Sequence, residues 1–193
     1  MLPDREPLLI KETEDTEFLY PRSINYPLTE SWDNGGKDLG DLSEDLTDYV
    51  WKAWTDGKKV YLQRVGLDVI HIVLEDEDIT EIDVTFDQNM RPCVAYYSND
   101  VSKLFWYDTS LGKAVTTSFS KDILRPRVSL DDKRRFNVSN SDILFFYQRD
   151  KYLCYRLQRE RFTIEHVIFE DTKYRFLWKI GMGTNRRFLI HWR

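Results

Sequence analysis

Cysteine is nearly missing from this chain: there are two in 193 residues, Cys93 and Cys154, each inside an apolar and aromatic run. Such isolated thiols read as reduced core residues, and no disulfide framework is suggested. Histidine is as scarce. His71, His166 and His191 are dispersed, and each alternates with apolar neighbours as a strand residue does, so metal-ligand spacing is absent and neither a metal nor another cofactor is expected. No G-x-S-x-G elbow, Walker loop or dinucleotide-binding glycine fingerprint occurs, and the chain reads as a non-enzyme. Long hydrophobic runs are missing too: no stretch approaches the length that spans a bilayer. The opening segment, MLPDREPLLIKETEDTEF, is acidic where a signal peptide is basic and then apolar. Synthesis and assembly in a cytosol, with no membrane insertion, is the expectation.

What is abundant is β-branched and aromatic sequence. After residue 48, YVWKAWT, KVYLQRV, DVIHIVL, TEIDVTF, CVAYY, SKLFWYD, AVTTSF, PRVSL, DILFFYQ, YLCYRLQ, FTIEHVIF, YRFLWKI and RFLIHWR follow one another at short intervals. Propensity and alternation make these strands. The segments TDGKK, DQNMRP, SND, DTSLGK and QRDK are Asp/Asn/Gly/Pro turns that return each strand antiparallel to the one before it. No helix of useful length fits between them. Before residue 48, prolines 3, 7, 21 and 27 and scattered acids leave no sustained period. An all-β antiparallel domain over 48–193, preceded by an extended N-terminal arm over 1–47, is predicted.

The domain repeats itself. Val84-Thr85-Phe86-Asp87 aligns with Val128-Ser129-Leu130-Asp131, which places CVAYY on ILFFY and KLFWYD on YLCYRL at an offset of about 44 residues, the size of a four-stranded propeller blade. Two units are visible, over 80–119 and 124–169. Partial ones lie on either side, giving about three blade-like units, whereas closed propellers generally need at least about four blades. A partly open blade stack, a small sandwich, or an oligomer whose neighbours complete the edges all remain open.

Charge is sorted along the chain. Residues 1–48 hold 13 acids and 4 bases, a balance of -9, and residues 121–193 hold 17 bases and 9 acids, a balance of +8. The acidic segment therefore has a basic surface to meet, in its own chain or a neighbour's. Arg125, Arg127, Arg134, Arg135, Arg156, Arg159 and Arg161 are candidate partner-binding residues. Their fork geometry suits carboxylates, and the acids mixed among them disfavour nucleic acid. In the arm, Trp32, Asn34, Gly35 and Gly36 form a candidate anchoring corner in which paired glycines position an indole. Asp87 and Asp131 precede turn residues and read as turn caps rather than catalytic acids. The run EDEDITEID lacks the ligand spacing of a calcium loop.

The stretches SWDNGGKDLGDLSEDL, VTFDQNMRPCVAYYSNDVSKLFWYD and LRPRVSLDDKRRFNVSNSDILFFYQRDKYLCYRLQRERFTIEHVIF, taken as a series over roughly Trp32 to Phe169, resemble structural proteins of tailed bacteriophages. That resemblance implies a virion component: a tail, tail-tip or baseplate subunit, homo-oligomeric, contacting other virion proteins and performing no catalysis. The alternative is a host-glycan-binding module at the tail tip, with exposed tryptophans stacking on sugars.

Overall fold

In the computed structural model, residues 9–12, 27–35, 49–131, 142–170, 175–182 and 188–192 are described. They contain strands, turns and one short 3-10 segment at Gln158–Glu160, and no α-helix. The first strand, β1 (Leu9–Glu12), joins a sheet completed at the far end of the chain. The first sheet is β2 (Glu30–Gly35), β3 (Tyr49–Thr55), β4 (Lys59–Arg64) and β5 (Ile70–Glu75), and the second is β6 (Ile79–Phe86), β7 (Pro92–Ser98), β8 (Val101–Asp108) and β9 (Lys113–Ser118). The third is β10 (Ile123–Leu130), β11 (Ile143–Arg149), β12 (Tyr152–Leu157) and β13 (His166–Glu170). The last contains β14 (Leu177–Met182) and β15 (Phe188–Trp192), with β1 parallel to β15.

Within the first three sheets the strands pair antiparallel in chain order, through the turns the sequence announces. Asp56 Oδ1 accepts from the amides of Lys58 and Lys59 at 2.9 and 2.8 Å, and Gly57 takes φ +94° between β3 and β4. Asn99 and Asp100, at φ 50° and 60°, join β7 to β8 in two residues. Asp87, almost fully buried, accepts from the amides of Asn89 and Arg91 and from Arg91 Nε. The cap expected at that position is therefore present.

Consecutive sheets pack face to face, and this explains the unbroken apolar runs. Along β7, Val94 and Tyr96 point into a core shared with Trp51, Leu62 and Val84, while Cys93 and Ala95 point into the next, with Trp106, Val128 and Phe145. Along β11, Ile143, Phe145 and Tyr147 serve that second core, and Leu144 and Phe146 serve a third with Ile180 and Phe188. A strand covered on both faces needs apolar residues at every position. Both thiols are free and buried, and burial pushes Cys154 up to about 11 and Cys93 further.

The sequence places two repeats at 80–119 and 124–169, and the second and third sheets occupy those spans. It sees three strands in the first unit and two in the last. The missing members come from residues assigned to the arm: β2 completes the first sheet and β1 adds to the last. The boundary expected at residue 48 thus falls between β2 and β3, which pair along their whole length from Glu30↔Trp54 to Gly35↔Tyr49. An arm lying beside an unpaired strand edge satisfies its backbone groups by joining the ladder, and proline-poor 28–35 is free to do so.

Candidate functional site

One strand from each sheet, β2, β6, β10 and β14, contributes to a network of charged, hydroxyl and amide groups in the interior. Asp83 on β6 accepts from Ser31 Oγ at 2.7 Å, from the Val128 amide on β10 at 3.0 Å, and from Lys179 Nζ on β14. Lys179 Nζ also donates to Ser31 Oγ at 3.0 Å, and the Val84 amide donates to the same oxygen at 3.1 Å. Asp33 Oδ2 accepts from Thr85 Oγ1 at 2.8 Å. Every one of these polar residues is buried, with Ser31 at 0% and Asp83 at 1% exposure.

A second cluster adjoins it on the same strands. Glu81 receives Arg125 through one oxygen and Arg127 through the other, the latter at 3.2 Å. Arg127, at 1% exposure, further donates from Nε to the Trp178 carbonyl at 2.6 Å and from Nη2 to that of Leu177 at 3.2 Å. A buried guanidinium is tolerable only with its donors shared out in this way. At a bulge in β10, Arg125 takes φ 56° and meets Glu81.

These clusters follow from the repeat. Applying the 44-residue offset sets Glu81 on Arg125 and Asp83 on Arg127, so one unit carries acids where the next carries arginines. Acids of the second sheet thereby meet bases of the third and fourth in the interior.

A serine 3.0 Å from a lysine invites a catalytic reading, which the hydrogen bonding opposes. Ser31 donates its one proton to Asp83 and accepts from Val84 and Lys179, so no lone pair is left to attack. Lys179 donates to that oxygen instead of taking its proton. The arrangement ties three sheets together. Nearby, His191, paired across the ladder with Lys179, is pushed down to about 4 by burial and by the lysine's charge.

The candidate partner-binding arginines of β10 to β13 are matched within the chain. Arg125 and Arg127 meet Glu81, Arg159 Nε meets Asp142 at 3.3 Å, and Arg161 Nη2 meets Asp108 at 2.7 Å. Arg156 donates to the Tyr147 hydroxyl and the Phe162 carbonyl, both at 2.9 Å. Arg134, Arg135 and Gly36 lie outside the described residues. Trp32, Asn34 and Gly35 belong to β2, where a regular ladder replaces the expected corner.

Register gathers a different surface on the outer face of the first sheet. Trp32, Lys52, Gln63 and Ile70 form one row across its strands, and Glu30, Trp54, Tyr61 and Ile72 the next. Lys52 Nζ lies 5.5 Å from the Trp32 ring and 5.8 Å from Trp54, and pairs with Glu30 at 3.2 Å. Trp54 and Tyr61 stack at 5.5 Å and 20°. Ile70 and Ile72 are 52% and 53% exposed. The uncharged run from Val69 to Leu74 was the signal for this surface, and reading it merely as a strand passed it over.

Among the described residues, no group of three or more His, Cys, Asp or Glu side chains is placed to hold a metal ion, and no helix is long and apolar enough to cross a membrane. No family model, curated protein or solved structure matches the chain.

Proposed function

We propose that this chain is a non-catalytic assembly subunit, a virion component of the tailed-phage type acting through protein–protein contacts in the tail, tail tip or baseplate. The observation that carries this reading is the outer face of the first sheet, where two tryptophans and a tyrosine lead to isoleucines more than half exposed at a strand edge. Apolar residues gathered on one face, with aromatic anchors at half-burial, are the composition of a protein interface. The interior charges support the same reading, because they are spent on one another in holding sheets together.

The shape fits a propeller-like ring of four blades. Each sheet packs on the next, and Lys179 of the last sheet reaches Ser31 of the first and Asp83 of the second, so the four inner strands meet around one polar centre. With β1 as an added outer strand, the last blade is tied by the chain's own N-terminal segment.

Glycan recognition is the second reading, favoured by the Trp54–Tyr61 stack and its neighbour Trp32. Mass spectrometry of density-gradient-purified particles from the source that encodes the chain tests the first reading: the subunit is expected at a fixed ratio to the coat protein. Its absence from washed particles refutes the assignment. A glycan array probed with the purified chain tests the second, and loss of a positive signal in Trp54→Ala would locate it.

A further inference from the structure

Among the described residues, β5, the outermost strand of the first sheet, pairs on one side only; a bulge at Val73 interrupts its end, while Ile70 to Ile72 keep regular register. Strands at sheet edges are ordinarily blunted by lysine, proline or a bulge, because their free amides and carbonyls template pairing with another chain. The edge strand β9, KAVTTS, follows that rule, with an exposed lysine and polar residues along it. In contrast, β5 has no Asp, Glu, Lys, Arg, Pro or Gly between Ile70 and Leu74. Val65, Leu67 and Val69, all exposed, extend its apolar surface into the preceding turn.

We infer that β5 pairs antiparallel with β5 of a second copy, about a twofold axis at His71, which joins two first sheets into one eight-stranded face. This rests on the assembly reading and names its first contact. The occupant follows from self-complementarity. A twofold axis perpendicular to the sheet keeps both outer faces on one side, so the facing residues must share a face and their numbers must sum to an even value. With the axis at residue 71, Ile70 of each copy faces Ile72 of the other, both within the regular part of the strand before the bulge at Val73. An axis at residue 70 sets Ile72 against Asp68. An axis at residue 72 sets Ile70 against Leu74, which is buried inward beyond the register shift that follows Ile72. The axis at His71 is the one that covers both isoleucines with each other. The resulting contact is isologous, and it closes at two subunits.

Sedimentation equilibrium of the full chain, over about 1 to 100 µM, measures the association directly. Wild type is expected to dimerise, Ile72→Lys to weaken the dimer at least about tenfold, and Val167→Lys on the β13 edge to leave it unchanged, with circular dichroism and melting temperature preserved throughout. Register is read separately. A mixture of Ile70→Cys and Ile72→Cys chains should oxidise to the mixed disulfide faster than either variant links to itself. A wild-type monomer at the top concentration overturns the inference, as does association unaffected by Ile72→Lys or preferential self-linking of either cysteine variant. None of these outcomes touches the particle test of the assembly reading, so the two fail independently.

Discussion

Replacing Lys179 by methionine tests the buried centre most directly. The ammonium sits at 4% side-chain exposure against Asp83 at 1%, so removing it leaves a carboxylate that water cannot reach. Two donors remain to that carboxylate, Ser31 Oγ and the Val128 amide, and they soften the loss without replacing the charge. Breaking one half of a buried pair costs about 3–5 kcal/mol. For a chain of this length each kcal/mol lowers the melting temperature by about 2–4 °C, which gives a fall of roughly 6–20 °C. Asp83→Asn should cost a similar amount by stranding the lysine. In the double variant the asparagine oxygen still accepts from Val128 and methionine fills the lysine stem, so its cost should drop to within about 1–2 kcal/mol of wild type. The coupling energy of the cycle, measured by denaturant titration followed by tryptophan fluorescence, is thus expected to be large and favourable. It should also change little between about 0.05 and 0.5 M salt, since buried pairs are weakly screened. Additive single costs, or a Lys179→Met cost below about 1 kcal/mol, would refute the idea that this pair ties the sheets.

Other outcomes follow from the same structure. His191 is neutral in the fold down to about pH 4 but takes a proton when unfolded below its ordinary 6.5. Stability should therefore be full above pH 6.5 and fall by roughly 2–3 kcal/mol as the pH drops towards 4, a loss that His191→Gln should reduce in melting curves across that range. Asp142, pushed up to about 6 chiefly by burial, behaves oppositely. The fold holds its proton more tightly than the open chain, so stability falls as pH rises from about 3.8 to 6. Asp142→Asn should raise stability by about 1–2 kcal/mol at pH 7.5 and hardly at all at pH 4. Deleting residues 1–36 removes β2, with Ser31 and Asp33, and should abolish cooperative unfolding by calorimetry, whereas deleting 1–26 keeps β2 and should leave a cooperative transition. Phe145→Ala, in the second core where Phe119 stacks on it at 4.3 Å, should cost about 3–5 kcal/mol in denaturant melts.

The sequence by itself determined the strands, the turns and the repeat. Those are local: alternation and β-branched composition select extended backbone over a few residues, and Asp-Gly or Asn-Asp pairs fix a turn within two, as at Gly57 and at Asn99–Asp100. Even the unbroken run ILFFY carries its meaning in its letters, since only a strand covered on both faces needs five apolar residues in succession. Tertiary structure alone decided where Glu30–Gly35 belongs. Its composition is that of a loop, and it becomes a strand because β3 presents an open edge, a fact about a neighbour and not about ESWDNG. Tertiary structure likewise brought Lys179 to Ser31, 148 positions away, and set Arg125 and Arg127 against Glu81. Which carboxylate a guanidinium meets depends on how the sheets stack, and stacking is set by the sum of many apolar contacts that no short stretch records.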